Sequence, residues 1–319
     1  MDYYYLIITL IIITMVLSVL IYKMFNKSNN FITEDDIVNW INNGNNLLHT
    51  RKFSNIDTYL DFTENKNLIV CLTGYHHIID DFFKNKLDKM NYPITLITIE
   101  SDIIPIKQYI EHPLIKHWYS WNIDNSHPKL TCIPIGLNKD RQSYSLDTYM
   151  KYQSKEKTKL LCVSQSNNTN SIRGILYNKA IKEWSHFCDV LPYVKPKDVY
   201  NISSITDSSM KIDVSNPDYY GYIDEYKFIL SPRGAGEDCH RTWEALYLGL
   251  IPIVMKSSIS ELYRDLPVLE IDNWNDINKE LLEEQYSIII NKKNNGEYNM
   301  DKLTLDYWID KIKYEIREK

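Results

Sequence analysis

Residues 228–254 read Phe-Ile-Leu-Ser-Pro-Arg-Gly-Ala-Gly-Glu-Asp-Cys-His-Arg-Thr-Trp-Glu-Ala-Leu-Tyr-Leu-Gly-Leu-Ile-Pro-Ile-Val. The stretch has the composition of a buried strand, a glycine loop, a short helix and a second buried strand. The strands are predicted at Tyr226–Leu230 and Ile251–Met255, because both runs are apolar. Pro232 cannot continue a central ladder, so the first strand ends before it. This order predicts a phosphate-sized cradle at a helix N-terminus.

The loop and helix carry the polar residues of the stretch. Gly234 and Gly236 allow positive φ and let backbone N–H groups approach a ligand closely. Glu237 or Asp238 is expected to be the N-cap of the helix, and Gly249 its C′ residue. Helical periodicity predicts a packing stripe of Trp243, Leu246, Tyr247 and Leu250, with His240, Arg241 and Glu244 on the other side.

Purely structural roles for these residues are the alternative to a ligand site. Arg241 and Glu244 alone would indicate a solvated i, i+3 ion pair, whereas the surrounding loop and strands favour a function. Cys239 stands where a third glycine of a dinucleotide fingerprint belongs, and no Gly-Lys-Ser/Thr follows, so neither phosphate-loop motif is present. The pattern favours a small buried filler over a nucleophile for Cys239.

The stretch resembles the exostosin-type glycosyltransferases and their viral and bacterial relatives. The resemblance extends over about residues 127–275 and is weak over residues 31–120. It is carried by Ser231-Pro232-Arg233-Gly-x-Gly-x-Asp-Cys-His-Arg-Thr-Trp-Glu-Ala-Leu, by Gly-x-Ile-Pro-Ile-Val, by residues 127–137, by Thr169-Asn170 with Arg173, and by Ser257-Ser258, Leu262-Tyr263, residues 266–269 and Asp272-Asn273-Trp274.

The resemblance implies a GT-B architecture, in which two Rossmann-like domains face a cleft and the nucleotide-sugar lies mainly on the second. Arg233 and the amides of Gly234, Ala235 and Gly236 would then meet the donor diphosphate, with Ser231 beside them. Glu244 would bind the ribose hydroxyls, His240 and Arg241 would orient the pyrophosphate, and Arg173 would be a further phosphate contact. No cofactor or metal is expected, because arginines and a helix dipole can stabilise the leaving diphosphate.

Polar residues also follow the predicted strands of the first half, where ligands of open α/β sheets bind. Glu100, Asp102 and His76 are the candidates for the base that would deprotonate an acceptor hydroxyl, and the choice among them stays open. The resemblance favours inversion of the sugar configuration.

The remaining pattern alternates strands with helices, which predicts parallel sheets covered on both sides. The domains are expected at residues 1–30 (anchor and linker), 31–150 (acceptor side), 151–290 (nucleotide-sugar) and 291–319 (an amphipathic helix that packs back across the first domain). Further strands are expected at Leu68–Thr73, Ile94–Ile99, Thr131–Ile135, Leu160–Val163 and Val268–Ile271. Helices are expected at Glu34–Asn42, after Gly74-Tyr75-His76-His77 to about Met90, at Ile175–Phe187 and at Leu303–Lys319.

Residues 5–22 carry no charge and predict an uncleaved transmembrane helix. Lys23 and Lys27 favour a cytosolic catalytic part, whereas the family and three Asn-x-Ser/Thr sequons favour a Golgi or ER lumen, so the side stays open. The net charge of −6 argues against a nucleic-acid partner, and five scattered cysteines indicate neither a disulfide framework nor a zinc site.

Three functions follow from these observations. The first is a membrane-anchored glycosyltransferase that moves a sugar from a nucleotide-sugar, expected to be UDP-linked, to a glycan or glycoprotein acceptor. The second is a catalytically inactive nucleotide-sugar-binding module, and the third is a membrane-tethered scaffold.

Overall fold

A computed structural model of the chain describes residue 32 and residues 47–50, 69–73, 76–90, 92–99, 102, 104–105, 107–137, 156–191 and 219–318. These residues form an α/β protein with two sheets of five strands each. Every paired strand in both sheets is parallel. The predicted α/β class with parallel sheets is confirmed, and the architecture is compatible with Rossmann-like folds.

The first sheet has its strands in chain order, β1-β2-β3-β4-β5. The strands are β1 Leu47–Thr50, β2 Ile69–Thr73, β3 Ile94–Ile99, β4 Ile115–Ser120 and β5 Leu130–Cys132. β3 has the predicted bounds, and β2, Ile69–Thr73, lies within its predicted range. β1 was not predicted, because its four residues, Leu-Leu-His-Thr, are too few to show a period.

The prediction of a strand over Thr131–Ile135 is wrong in its second half, because β5 ends at Cys132. Pro134 has no N–H to give to a ladder. The N–H of Ile135 is donated instead to the Asp238 carboxylate, at 2.9 Å. The strand therefore ends where its backbone turns to the second half of the molecule.

The second sheet has the order β7-β6-β8-β9-β10. Its strands are β6 Lys159–Val163, β7 Cys188–Val190, β8 Tyr226–Leu230, β9 Ile251–Met255 and β10 Leu269–Ile271. β8 and β9 have the bounds predicted from the sequence around residues 228–254. The direction of winding reverses at β6, so a topological switch point lies between β6 and β8, where open α/β sheets bind ligands.

The helices are mostly short. They are α1 His76–Asp81, extended by a π turn at Phe82–Lys86 and a 3-10 turn at Leu87–Lys89, α2 Lys107–Ile110, α3 Ser171–Lys182, α4 Tyr219–Ile223, α5 His240–Tyr247, α6 Ser260–Tyr263, α7 Lys279–Asn294 and α8 Leu305–Glu318, with 3-10 turns at Trp274–Asp276 and Met300–Leu303. α3 begins four residues earlier than predicted and ends five earlier. The reason is its N-cap: Asn170 Oδ1 accepts the N–H of Ile172 at 3.1 Å.

Two hydrophobic clusters show how the sheets are covered. One face of the second sheet (Leu161, Val163, Phe228, Leu230) packs with α3 and α7 in a cluster of its own. The other face joins α5, α6 and the whole first sheet in one continuous cluster. α5 therefore lies in the interior, between the second sheet and the first half of the chain.

The C-terminal helix α8 covers the first sheet, as expected. Along β4, Trp118 faces the crossover helices, where its ring stacks on Phe83 with centroids 5.5 Å apart. Tyr119 points to the opposite face. There its hydroxyl donates to Glu315 Oε2 of α8 at 2.5 Å.

The described residues contain no helix with the length and apolarity needed to span a bilayer. The transmembrane helix predicted at residues 5–22 and the helix predicted at Glu34–Asn42 lie outside the described residues.

Candidate functional site

A cavity of about 290 Å³ opens at the carboxyl edge of the second sheet. It lies at the ends of β6, β8, β9 and β10, and so includes the switch point. Its wall combines apolar and aromatic side chains with hydroxyl, amide and charged groups. The lining residues are Asn170, Ile172, Ser231, Arg233, Glu237, Val254, Met255, Lys256, Ser257, Ile259, Tyr263 and Trp274.

The glycine loop after β8 has a different geometry from the one predicted. Among the described residues, the glycines with positive φ are Gly136, Gly249 and Gly296, so Gly234 and Gly236 do not use the positive φ that glycine allows. Gly249 does end α5 in the left-handed region, with φ of 76°, as predicted. The amide of Gly234 donates to the carbonyl of Gly236 at 3.0 Å, inside the loop, and is not directed at the cavity.

Gly236 is required by close approach. A Cβ there would lie 2.5 Å from Asn122 Oδ1 and 2.7 Å from Asp102 Oδ1. Both side chains belong to the first half of the chain. The glycine loop is thus pressed against the carboxyl edge of the first sheet, with a carboxylate from that half directly on it.

Arg173 is buried and holds the loop from the side of α3. Its guanidinium donates to the carbonyls of Pro232 at 3.1 Å and Arg233 at 3.0 Å. Asn170 adds a third contact, from its Nδ2 to the carbonyl of Gly234, at 2.9 Å. The structure therefore places Arg173 as a clamp on the loop backbone, and Arg173 is not among the residues that line the cavity.

Arg233 and Ser231, two of the predicted donor-binding residues, line the cavity. Arg233 NH1 forms an ion pair with Glu237 Oε1, four residues further on, and NH2 donates to the carbonyl of Ala235 at 3.2 Å. The Ser231 hydroxyl shares a hydrogen bond of 2.9 Å with Thr242 of α5. The loop thus presents one arginine to the cavity together with its own counter-ion.

Asp238 is the centre of the interface between the two halves. Its fully buried carboxylate accepts four hydrogen bonds of 2.7–2.9 Å, from the amides of Ile135 and Cys239, from Trp243 Nε1 and from the Tyr263 hydroxyl. Burial raises the pKa of this carboxyl, while the four donors lower it. The group that orders this interface is therefore a desolvated carboxylate with all of its acceptor positions used.

The predicted N-cap at Glu237 or Asp238 is wrong, because the carboxylates of both residues are used elsewhere. The N-cap residue is Cys239, with extended backbone and no side-chain capping bond. Burial raises the pKa of the Cys239 thiol, which disfavours the nucleophilic thiolate and agrees with a filler role.

The three polar residues of α5 do not lie on an open face. Arg241 and Glu244 are 7% and 3% exposed, which excludes the solvated ion pair. His240 Nδ1 lies 2.8 Å from the carbonyl of Gly136, in the first half. None of the three is among the lining residues of the cavity, so the structure groups them with the interior and the interface rather than with Arg233.

The three base candidates have different positions. Asp102 is exposed and lies against Gly236 of the glycine loop. His76 begins α1 with an exposed side chain. Glu100 lies outside the described residues. Of the two described candidates, Asp102 is the one that lies against the loop.

Asn122 is a site residue that the sequence did not reveal. It is fully buried, and its Oδ1 accepts the amides of Glu237 at 2.7 Å and Asp238 at 3.3 Å. It therefore holds the end of the glycine loop from the first half. The signal in the sequence was a polar residue just after β4, at the edge where ligands of parallel sheets bind.

No protein-family model matches the chain, and no curated protein matches it. The resemblance to exostosin-type enzymes therefore depends on the motif residues. The geometry adds a cavity at a switch point, an arginine inside it and a first-half carboxylate against its loop. This arrangement can hold an anionic ligand in the second half and present a base from the first.

Proposed function

We propose that the chain is a glycosyltransferase that takes a sugar from a nucleoside-diphosphate donor, with UDP-sugars as the first donors to test. In this proposal the two sheets form a GT-B arrangement, and residues 5–22 anchor the enzyme to a membrane. The acceptor is a glycan or glycoprotein that approaches from the first half.

One observation carries the proposal: the glycine loop after β8 lines a cavity at the switch point of its own sheet and also touches Asp102 of the other half. Switch points bind nucleotides in doubly wound sheets, and Arg233 supplies positive charge for a diphosphate. In this proposal Asp102, which lies against Gly236, acts on an acceptor hydroxyl beside that loop.

The chemistry assigned to these residues is simple. Arg233 would offset the charge that develops on the leaving diphosphate, and preorganised positive charge of this kind commonly dominates the rate enhancement of group transfer. Asp102 would accept the proton of the attacking hydroxyl. Ser231 and Asn170 would position the donor from the ends of β8 and β6.

The test is a thermal-shift and turnover screen of the purified full chain in detergent against a panel of nucleotide-sugars. A ligand that binds only the native state raises the apparent melting temperature. Arg233→Ala is expected to weaken donor binding about 10-fold or more, because it removes a charge-assisted contact. Arg264→Ala is the matched control, since Arg264 is exposed and paired with Glu261 outside the cavity.

Glu244→Gln tests the ribose contact implied by the resemblance, and the conservative change avoids a cavity at a buried position. Unchanged donor affinity in both Arg233→Ala and Glu244→Gln would contradict the proposal. Donor binding without transfer or hydrolysis would indicate a catalytically inactive nucleotide-sugar-binding module. The absence of any donor binding would favour the membrane-tethered scaffold.

A further inference from the structure

The cavity contains an anion of its own. Glu237 and Arg233 both line it, and their side chains form an ion pair within the glycine loop. The Glu237 side chain is 15% exposed and that of Arg233 is 40% exposed, so the carboxylate side chain is more deeply buried than the arginine side chain. The pair therefore places a carboxylate at the arginine that a diphosphate would need.

Arg233 has capacity for another acceptor. Its Nε is buried and has no hydrogen-bond partner among the described residues. Of its other nitrogens, NH1 is paired with Glu237 and NH2 donates to the carbonyl of Ala235. An arginine arranged in this way is only partly satisfied by its own loop.

The backbone of Glu237 is held by the first half, whereas its carboxylate contacts the glycine loop. Its amide donates to Asn122 Oδ1 at 2.7 Å, and Asn122 is fully buried in the first half. The carboxylate makes its described contact with Arg233, across a short loop. Rotation about the side-chain bonds can therefore release Arg233 while the loop backbone stays in place.

A carboxylate and a diphosphate cannot share one arginine without a cost. Like charges repel more strongly in a partly buried cavity than in water, so the carboxylate and the diphosphate compete for the arginine. We propose that Glu237 is an internal counter-ion that occupies the diphosphate position, so that a donor binds by displacing the Glu237 carboxylate from Arg233. This inference rests on the proposed function, and it assigns to Glu237 the setting of donor affinity.

Isothermal titration calorimetry of the full chain in detergent, with UDP and with inorganic pyrophosphate, tests the inference. Glu237→Gln keeps the shape and removes the competing charge, so it is expected to bind both ligands about 3- to 10-fold more tightly than the wild type. The gain should shrink as salt is raised, because it is electrostatic.

Glu261→Gln is the matched control, because it removes the same charge from another short-range arginine pair, with Arg264, outside the cavity. It is expected to leave both affinities unchanged. Melting curves of all three proteins show whether each is folded before titration.

The outcomes separate this inference from the proposed function. Equal UDP affinity in wild type and Glu237→Gln would overturn the inference and leave the function standing. Weaker binding by Glu237→Gln would also overturn it, because Glu237 would then contact the donor. Tighter pyrophosphate binding by Glu237→Gln without any UDP binding would support the inference and contradict the function, and no binding of either ligand by any variant would overturn both.

Discussion

The two sheets that the described residues form have the same number of parallel strands and differ in order. The described strands of the first sheet run in sequence, β1 to β5, whereas the second sheet winds one way to β7 and then the other way from β8 to β10. A right-handed crossover that always steps in the same direction stays on one face. Reversal of the direction sends crossovers to both faces and opens a crevice between the two central strands.

This difference explains where the remaining elements pack. In the first sheet, α1 and α2 lie on one face, through Phe83 and its stacking partner Tyr109, 4.1 Å away. The other face is left for α8, which arrives from the far end of the chain. In the second sheet, α3 covers one face and α5 the other. The second sheet therefore provides the crevice, and the first supplies edge residues to it.

The largest predicted effect is at the contact that joins the two halves. Asp238→Ala would leave four buried donors without an acceptor, which is expected to lower the free energy of unfolding by about 3–5 kcal/mol. Urea unfolding followed by circular dichroism measures it. Asp310→Ala, on the exposed side of α8, should change stability by less than about 0.5 kcal/mol. A loss below about 1 kcal/mol for Asp238→Ala would show that the halves are joined elsewhere.

The next effect sharpens the difference between two glycines. Gly236→Ala is expected to lower stability by about 1–3 kcal/mol, because the added methyl would meet Asn122 and Asp102 below 3 Å. Gly174→Ala is the opposite case: it lies within α3 with nothing within 4 Å of its Cβ position, and it should raise stability by about 0.5–1 kcal/mol. Melting temperatures of the two variants should move in opposite directions, and movement in the same direction would contradict the loop contact.

A smaller effect tests the cover of the first sheet. Tyr119→Phe removes the hydroxyl that donates to Glu315 Oε2 and should lower stability by about 1 kcal/mol. Burial and the Glu315 carboxylate raise the pKa of Tyr119, so the hydroxyl stays a donor through the neutral range. Tyr314→Phe is the matched control. Tyr314 lies next to Glu315 on α8 and is 66% exposed, so its substitution should have no effect. Hydrogen exchange in α8 should quicken in the first variant alone.

The last effect is a change of stability with pH. Lys302 joins the segment before α8 to the second half, donating to the carbonyls of Arg264 at 2.6 Å and Glu261 at 3.4 Å. Burial lowers the pKa of Lys302 from 10.5 to about 8, so between pH 8 and 10.5 the unfolded chain binds more protons at this residue than the folded chain. The free energy of unfolding that Lys302 contributes must therefore rise with pH across that window.

Lys302→Met should remove this rise. Urea unfolding of wild type and variant at several pH values from about 7 to 10 gives the difference, in which the titration of other groups cancels. A difference that stays constant from about pH 8 to 10 would show that the folded pKa of Lys302 is not lowered.

Local patterns predicted the second half well. β8 and β9 are largely apolar runs, and Pro232 after β8 and Gly249 before β9 each mark one end of a strand. β1 and β5 were missed or misplaced, because they are short and β5 ends on a hydrogen bond to a residue 103 positions away. The donor-site prediction divided in the same way: Ser231 and Arg233 line the cavity, while Arg241 and Glu244 are buried apart from it.

The sequence by itself determined the α/β class, the unit of β8, glycine loop, α5 and β9, and the presence of an arginine on that loop. These features depend on composition and on hydrophobic periodicity over a few residues. Only the tertiary structure decided the reversed strand order, the docking of Asn122 and Asp102 on the loop, and the burial of the α5 polar residues. The docking contacts join residues more than 100 positions apart, and a linear pattern contains no signal for which distant groups will meet.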